Sequence, residues 1–357
     1  MRFNSYLTAL VGTALSILCL AILINYVVDP YDVFGHSWLR EYGQPQERFL
    51  KIEYLSKHKS FDTFLLGSSR IGTTPTEVVA QFCKCNPYNL TVSQTNQWDN
   101  LVIAKWLLAN QPKIKRLMIQ IDWHELSHYG PERPNYYLLT KMHPDVTGES
   151  RVAFFKDYLL SFSWEAFKIK VKNNFDQTNK LDYSIEKGYW SRPNLDNLID
   201  TDCPAYVRKE SSFSEIVLPQ KFISNNRNNF FRNIEAIEQI KKMATNQGVD
   251  VIFFLTPHHR NFLDEIDIDD YQIFLEKIVK ISPLINFMYY SKETLNSCNY
   301  YEAGHHRAVL AKIVVKDIFS EDAMTFGRRV SLANLEQEKK FLLDNFESAR
   351  FHRKPFR

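Results

Sequence analysis

Two short segments, far apart in the chain, carry residue types suited to a nucleophilic site. Residues 67–70 read Gly-Ser-Ser-Arg, and a second segment places Glu302 three residues before His305. A serine hydroxyl is a weak nucleophile until a base takes its proton. Acid-x-x-His in one short turn can supply that base, with the serine on one ring nitrogen and the orienting carboxylate on the other. The spacing therefore favours serine chemistry, although an ordinary glycine-serine turn also fits residues 67–70 alone.

Further polar residues are expected at the same edge of the molecule. In a doubly wound sheet, ligands gather at the carboxyl ends of the strands. Gly67 permits a sharp turn that leaves backbone N–H groups facing an oxyanion. Arg70 could hold a carboxylate or phosphate through its planar fork, or form a structural ion pair. His258 and His259 follow the apolar run at residues 249–255, where they could bind a sugar or an anionic carrier, or simply be solvated.

A competing motif lies at residues 124–128, which read His-Glu-Leu-Ser-His. In zinc proteases this spacing puts two histidines on one helical turn as metal ligands, and the glutamate is the base. Here the motif follows the apolar run at residues 116–121 almost directly, and a Gly-Pro pair arrives two residues after its second histidine. Little room is left for a helix. We therefore expect a loop at the rim of the site, without a bound metal or other cofactor.

Apolar runs alternate with amphipathic segments along most of the chain. Five runs have the length of buried strands: residues 61–66, 88–92, 116–121, 249–255 and 284–289. Strands alternating with helices imply a parallel sheet covered on both faces. The prediction is an α/β fold, a three-layer α/β/α sandwich with a mainly parallel five-stranded sheet, over residues 61–320. We expect an insertion or lid at residues 173–229, which are rich in polar residues, and a helical tail at residues 321–357.

The N-terminal segment is apolar enough to cross a membrane. Residues 5–28 contain no charge, and a helix of about 20 residues spans a hydrocarbon core of about 30 Å. Because the run is too long for a cleaved signal, we expect an anchor at residues 6–28, followed by a connector at residues 29–60. Cys19 is expected to face lipid. Arg2 before the span and mixed charges after it favour a cytoplasmic position for the first five residues, which places the bulk of the chain outside the cytoplasm.

The other cysteines and the charge balance limit the classes of protein to which the chain can belong. Cys83, Cys85, Cys203 and Cys298 suffice for two disulfides in an oxidising compartment, with the pairing open. A metal site at the Cys-x-Cys pair and buried free thiols are the alternatives. A net charge of +3 lacks the basic excess of a nucleic-acid-binding protein, and no glycine-rich phosphate loop occurs. We expect neither a nucleic-acid partner nor a nucleotide cofactor.

Together, residues 67–70 and 302–305 resemble the SGNH (GDSL-like) hydrolase superfamily. In that family the nucleophile follows the first strand in a G-x-S turn, and a DxxH motif precedes the last helix. The closer similarity is to membrane-anchored bacterial members that act in teichoic-acid D-alanylation and in exopolysaccharide and O-antigen acylation. It covers about residues 29–319. The resemblance implies that Ser69 is the nucleophile, His305 the base and Glu302 the orienting acid.

The chain departs from the family pattern at three places. The acid is Glu302 where the family usually has Asp, and the position matched to an oxyanion glycine is Gln94. The third-block asparagine has no clear match, and Asp122 occupies that neighbourhood. The resemblance implies a periplasmic, inner-membrane-anchored esterase or O-acyltransferase acting on acyl esters of a cell-surface glycan, with a membrane acyl-donor protein as partner. A catalytically degenerate scaffold or glycan-binding component is the alternative, and a zinc protease ranks below both.

Overall fold

The computed structural model divides the chain into two compact units. Unit 1 contains Met1–Tyr54 and Pro131–Leu181, and unit 2 contains Leu55–Gly130 and Asp182–Arg357. The residues that the structure describes are 2–35, 46–121, 123, 126, 141–175, 182–215, 217–320 and 323–351. The boundaries of these units differ from those predicted for the connector, residues 29–60, and for the insertion, residues 173–229. The difference arises because residues 141–175 pack with the N-terminal segment.

The described residues form ten strands and fifteen α-helices. The strands are β1 (Thr63–Leu66), β2 (Pro87–Asn89), β3 (Arg116–Gln120), β4 (Asp182–Tyr183), β5 (Trp190–Ser191), β6 (Asp250–Leu255), β7 (Leu284–Asn286), β8 (Tyr300–Glu302), β9 (His305–His306) and β10 (Arg328–Val330). The helices are α1 (Arg2–Val28), α2 (Glu47–Lys57), α3 (Thr76–Cys83), α4 (Gln97–Asn110), α5 (Pro144–Thr147), α6 (Arg151–Leu160), α7 (Trp164–Phe175), α8 (Pro193–Lys209), α9 (Phe222–Asn225), α10 (Arg227–Asn246), α11 (Arg260–Asp264), α12 (Ile268–Ile281), α13 (Lys292–Leu295), α14 (Ala308–Phe319) and α15 (Leu335–Phe351).

Unit 2 is built on a six-stranded sheet in the order β10-β7-β6-β3-β1-β2. The strands from β7 to β2 pair in parallel, and β10 pairs with β7 in antiparallel fashion. The α/β class and the mainly parallel sheet are therefore confirmed. The predicted count of five strands is wrong, because the segment assigned to a helical tail contributes an edge strand. With only three residues, two of them arginines, β10 has no apolar run that could indicate a strand.

The strands of the sheet are buried because they carry apolar residues on both faces. All four residues of β1 and all three of β7 are buried, as expected for a parallel sheet covered on both sides. Helix α10 packs against α4, β6 and α12, and α12 packs against α15, while α14 packs against α3. Two smaller hairpins, β4–β5 and β8–β9, stand outside the main sheet. The second hairpin carries Glu302 and His305.

Unit 1 joins α1 to α6 and α7 through a buried polar turn. Asp29 follows α1 with a φ of 46° and is fully buried. Its carboxylate accepts the backbone N–H groups of Val33, Phe34 and Gly35, each at 2.9 Å, and the Tyr158 hydroxyl at 2.7 Å. A buried carboxylate is tolerated only with such partners. The chain leaving α1 is therefore held tightly against α6.

Helix α1 provides the one segment, within the described residues, that is long and apolar enough to cross a membrane. Its apolar stretch, Tyr6–Val28, contains 23 residues, and the 18-residue apolar segment within this stretch has no residue buried inside the protein. The predicted apolar N-terminal helix is thereby confirmed by length and composition. Cys19 is exposed on it and is not disulfide-bonded.

Candidate active site

The turn after β1 is held by a close approach between two strand ends. A Cβ atom on Gly67 would lie only 2.4 Å from Oε1 and 2.6 Å from Cβ of Gln120, and Gly67 has a φ of 155°. Only glycine fits such a position. The backbone N–H of Ser68 donates to Gln120 Oε1 at 2.8 Å, and the Ser68 hydroxyl is 3.3 Å from the same oxygen. Ser68 is buried, so its neighbour Ser69 is the serine that reaches the surface.

Ser69, His305 and Glu302 lie in one hydrogen-bonded line. Ser69 Oγ is 2.8 Å from His305 Nε2. The other ring nitrogen, Nδ1, contacts Glu302 Oε1. The serine opens a short 3-10 helix, Ser69–Ile71, while the histidine and the glutamate come from the two strands of the β8–β9 hairpin. This is the order of contacts that a base needs in order to take a serine proton and be oriented by an acid.

Positive groups stabilise the charged form of Glu302. Burial alone would raise the pKa of the Glu302 carboxyl, but contact with His305 and the nearby Arg192 and Arg70 lower that pKa below its usual value. Arg192 NH1 lies 3.7 Å from the second carboxylate oxygen. An ionised acid at this place would stabilise a positively charged imidazole.

The β4–β5 hairpin and the turn after it cover one side of this line. Trp190 in β5 meets the His305 ring edge to face at 5.7 Å between centroids. Its backbone N–H donates to Gly72 O at 3.0 Å, and a Cβ atom on Gly72 would collide with the Trp190 indole at 2.3 Å. Arg192 lies over the Trp190 ring at 5.3 Å. Sequence reasoning missed Trp190 and Arg192, because nothing in their local pattern connects them with residues more than 100 positions away.

Helix α8 fixes the β8–β9 hairpin from another side. Arg307 binds Asp196 and Asp200 at 2.7 Å each, and Asp196 also accepts the Tyr301 hydroxyl at 2.8 Å. A disulfide joins Cys203 in α8 to Cys298 just before β8. The second disulfide joins Cys83 to Cys85, so the pairing that the sequence left open is resolved. The polar segment predicted to form a lid thus includes groups that hold the acid-x-x-His turn.

Arg70 is held beside the candidate site by an aromatic ring and a histidine. Its guanidinium carbon lies 4.5 Å from the centroid of the Phe262 ring, and its Nη1 atom is 2.9 Å from His258 Nδ1. His258 is only 2% exposed. Of the two alternatives for His258, a binding group or a solvated side chain, the solvated one does not fit, since the His258 ring is buried against Arg70.

His259 and His306 are buried, neutral side chains. His259 Nε2 is 3.0 Å from Ser297 Oγ, and burial, with a smaller effect of Arg260, lowers the pKa of His259 to about 4. Burial lowers the pKa of His306 to about 3, with further lowering by His305 and Arg70. His259 is 3% exposed, which makes it a packing group under the site and not a solvated one.

The structure describes some of the groups that were expected to contact an oxyanion, and others lie outside the described residues. Among the residues that the structure describes, no backbone carbonyl is recorded as the acceptor of the Ser69 N–H. Gln94 lies on an exposed turn with a φ of 55°, the conformation that favours glycine, and no hydrogen bond in the described part of the chain joins it to Ser69. Asp122 lies outside the described residues, as do the histidines and glutamate of the His-Glu-Leu-Ser-His motif.

A metal centre finds no support in the part of the chain that is described. Within residues 2–35, 46–121, 141–175, 182–215, 217–320 and 323–351, no cluster of three or more His, Cys, Asp or Glu side chains could hold a metal ion. The candidate site consists of a hydroxyl, an imidazole and a carboxylate.

Comparison with known proteins identifies no relative of this chain. No protein-family model matches the chain, and no curated protein matches it significantly. Function must therefore be argued from the site itself.

Proposed function

We propose that unit 2 is a serine esterase or O-acyltransferase in which Ser69, His305 and Glu302 form the catalytic triad. The observation that carries this proposal is the continuous line from Ser69 Oγ through both ring nitrogens of His305 to Glu302. A turn that merely capped a helix would not need a base 236 residues away in the sequence. The fold is proposed to be a three-layer sandwich of the SGNH type, with one extra edge strand.

The chemistry follows from the positions of the three groups. Ser69 Oγ attacks the carbonyl carbon of an acyl ester while His305 Nε2 takes the hydroxyl proton. The tetrahedral oxyanion is stabilised by the Ser69 N–H, and His305 returns the proton to the departing alcohol. Water or a sugar hydroxyl then attacks the acyl-serine and loses its proton to His305, which passes the proton to Ser69 Oγ as the bond between the acyl carbon and Ser69 Oγ breaks. Glu302 holds the ring and stabilises its charged form throughout.

Two features support an extracytoplasmic location for this reaction. Helix α1 is suited to a membrane anchor, and the Cys203–Cys298 disulfide fits an oxidising compartment. The proposed substrate is an acyl ester of a cell-surface glycan, with a membrane acyl-donor protein as partner if the reaction is transfer. Reporter fusions after residue 60 test the topology: a reporter that requires export should be active, and one that requires the cytoplasm should be silent.

The central experiment compares the two adjacent serines. The full chain, in detergent or vesicles, is treated with a fluorophosphonate, and the modified residue is mapped by mass spectrometry. We expect labelling on Ser69, its loss in Ser69→Ala and its retention in Ser68→Ala. The Ser68 variant loses contacts to Gln120 and Arg70 N–H, so it should be less stable but still labelled.

Absence of labelling in folded wild-type protein would reject the serine-enzyme proposal and favour the non-catalytic scaffold. Labelling that moves to Ser68 would reject the assignment of Ser69. An active protein can then be incubated with an O-acetylated oligosaccharide, with and without an unmodified acceptor sugar. Release of free acid identifies a hydrolase, whereas acylation of the acceptor identifies a transferase.

A further inference from the structure

Unit 1 exposes an aromatic surface at the junction of α6 and α7. The surface consists of Leu160, Phe162, Trp164 and Phe167. Trp164 is 60% exposed, Leu160 48% and Phe162 39%. The Trp164 and Phe167 rings stack at 5.2 Å, and the Phe162 ring lies 6.3 Å from both. Grouped exposed apolar rings of this kind mark a surface that contacts something other than water.

The aromatic surface lies beside the last turn of α1. Asn25 in α1 donates a side-chain N–H to Leu159 O at 3.0 Å, and Leu159 immediately precedes the aromatic surface in the chain. Helices α1 and α6 pack against each other, and the Asp29 turn fixes the chain between them. This contact therefore places Leu160, where the aromatic surface begins, beside Asn25 at the end of α1.

Two exposed tyrosines mark the ends of the apolar part of α1. Tyr6 is 77% exposed and Tyr26 is 48% exposed. The twenty residue steps from Tyr6 to Tyr26 correspond to about 30 Å at 1.5 Å per residue, which is the thickness of a bilayer hydrocarbon core. Tyrosine and tryptophan concentrate at the two membrane-water interfaces, where an apolar ring and a polar tip are both accommodated. Tyr26, next to Asn25, would thus lie at one interface.

We propose that the aromatic surface is a lipid-contact face, which seats unit 1 in the headgroup region of the bilayer beside α1. The occupant is lipid because the aromatic surface begins at Leu160, beside the last turn of α1, and a bilayer crossed by α1 would reach the surface there. The neighbouring Glu165–Lys168 ion pair, at 2.7 Å, is exposed on the same helix and suits a hydrated headgroup layer. The proposal concerns membrane binding and is independent of the triad.

The test measures the depth of Trp164 in the full chain. Protein is reconstituted in phosphatidylcholine vesicles that carry bromine either near the headgroup end of the acyl chains or near their ends. The emission of Trp164 is the difference between wild type and Trp164→Phe, with circular dichroism checking that the variant is folded. We expect headgroup-end bromine to remove about half or more of the Trp164 emission, and chain-end bromine to remove clearly less.

A matched positive control places a tryptophan on α1 itself. Tyr26→Trp, made in the Trp164→Phe background, should show the same preference for headgroup-end bromine. Quenching of the Tyr26→Trp protein without quenching of Trp164 would overturn the proposal and leave the surface to a protein partner. Quenching at neither position would overturn it as well, since α1 then would not hold the surface at the interface. Trp164 quenching that appears only at low protein density would indicate that a second copy covers the surface, which also overturns it.

Discussion

Replacing Gly67 with alanine should impair the site although the three residues of the proposed triad are not themselves mutated. The added Cβ would lie 2.4 Å from Oε1 and 2.6 Å from Cβ of Gln120. Since carbon atoms pack at about 3.5 to 4.0 Å, the end of β1 or of β3 must move by about 1 Å. Such a shift stretches the hydrogen bond from the Ser68 N–H to Gln120 and moves Ser69 away from its base.

The expected loss is large in rate and moderate in stability. A misplacement of about 1 Å can cost on the order of 100-fold in rate, so we expect fluorophosphonate labelling of Ser69 to slow by about that factor. Overpacking typically costs about 1 to 3 kcal/mol, and the strained φ adds to it. We expect the free energy of unfolding to fall by about 3 kcal/mol.

Two other glycines provide matched controls. Alanine at Gly304 would place its Cβ 3.4 Å from Glu302 Oε1, an ordinary contact inside the same site. Gly248 has a φ of 71° with open space around it, so alanine there tests backbone strain alone. Gly304→Ala should label at nearly the wild-type rate, and Gly248→Ala should lose about 1 kcal/mol of stability with no loss of labelling.

The labelling rate constant and the melting temperature of each variant are measured side by side. Truncating Gln120 to alanine should not rescue Gly67→Ala, because the clash with the Gln120 Cβ remains. A wild-type labelling rate in Gly67→Ala, or full rescue by Gln120→Ala, would refute the argument that strand-end packing positions Ser69.

Three further predictions follow from the charges and the covalent link near the site. Glu302→Gln keeps the shape of the acid but removes its charge, so the labelling rate at pH 8 should fall by about 10³- to 10⁴-fold; a loss below tenfold would argue against its role. The pKa values of His259 and His306 lie below the usual 6.5, so the unfolded chain binds protons first as pH falls. The free energy of unfolding keeps its full value above about pH 6.5 and should be about 4 kcal/mol lower at pH 5 than at pH 8, or about 2 kcal/mol per histidine. Denaturant titrations at several pH values check this, and His259→Asn should remove about half of the dependence of stability on pH. A free energy of unfolding that does not change with pH would contradict the prediction. Replacing Cys203 and Cys298 by serine opens a link across 95 residues and should lower stability by about 3 to 4 kcal/mol, measured by thermal unfolding; reductant should lower the stability of wild type by at least as much, and it should have a smaller effect on the double variant, which keeps only the short Cys83–Cys85 link.

The sequence contained enough information to predict the sheet and to bring three polar residues to one place. Apolar runs predict buried strands, and the polar residues that follow parallel strands meet at one edge. That rule predicts the position of Ser69, after β1, whereas Glu302 and His305 lie on a hairpin outside the main sheet and were related to Ser69 by their acid-x-x-His spacing. The role of Ser69, His305 and Glu302 stays a proposal, since geometry shows their contacts and not their reaction.

The features that sequence analysis missed have no local signature. Gln120 ends β3 and looks like any polar residue at a strand end, yet it fixes the backbone of Ser68. Trp190 and Arg192 lie in a polar segment whose composition suggested an insertion, and only tertiary packing brings them to His305 and Glu302. Strand β10 is three residues long, and its pairing with β7 depends on a neighbour about 40 residues earlier in the chain.

The buried turn at Asp29 fixes the direction of α1 within unit 1. Four hydrogen bonds to one carboxylate tie the end of the helix to residues 33–35 and to Tyr158 in α6. Each residue of an α-helix contributes about 100° of rotation and 1.5 Å of rise. Deleting one residue in the middle of α1 would therefore turn its N-terminal half by about 100° relative to unit 1, whereas a deletion of seven residues would nearly restore the original phase and shorten the helix by about 10 Å. The number of residues in α1 therefore sets its rotational phase as well as its length. This phase decides which side of α1 points in the same direction as the rest of unit 1.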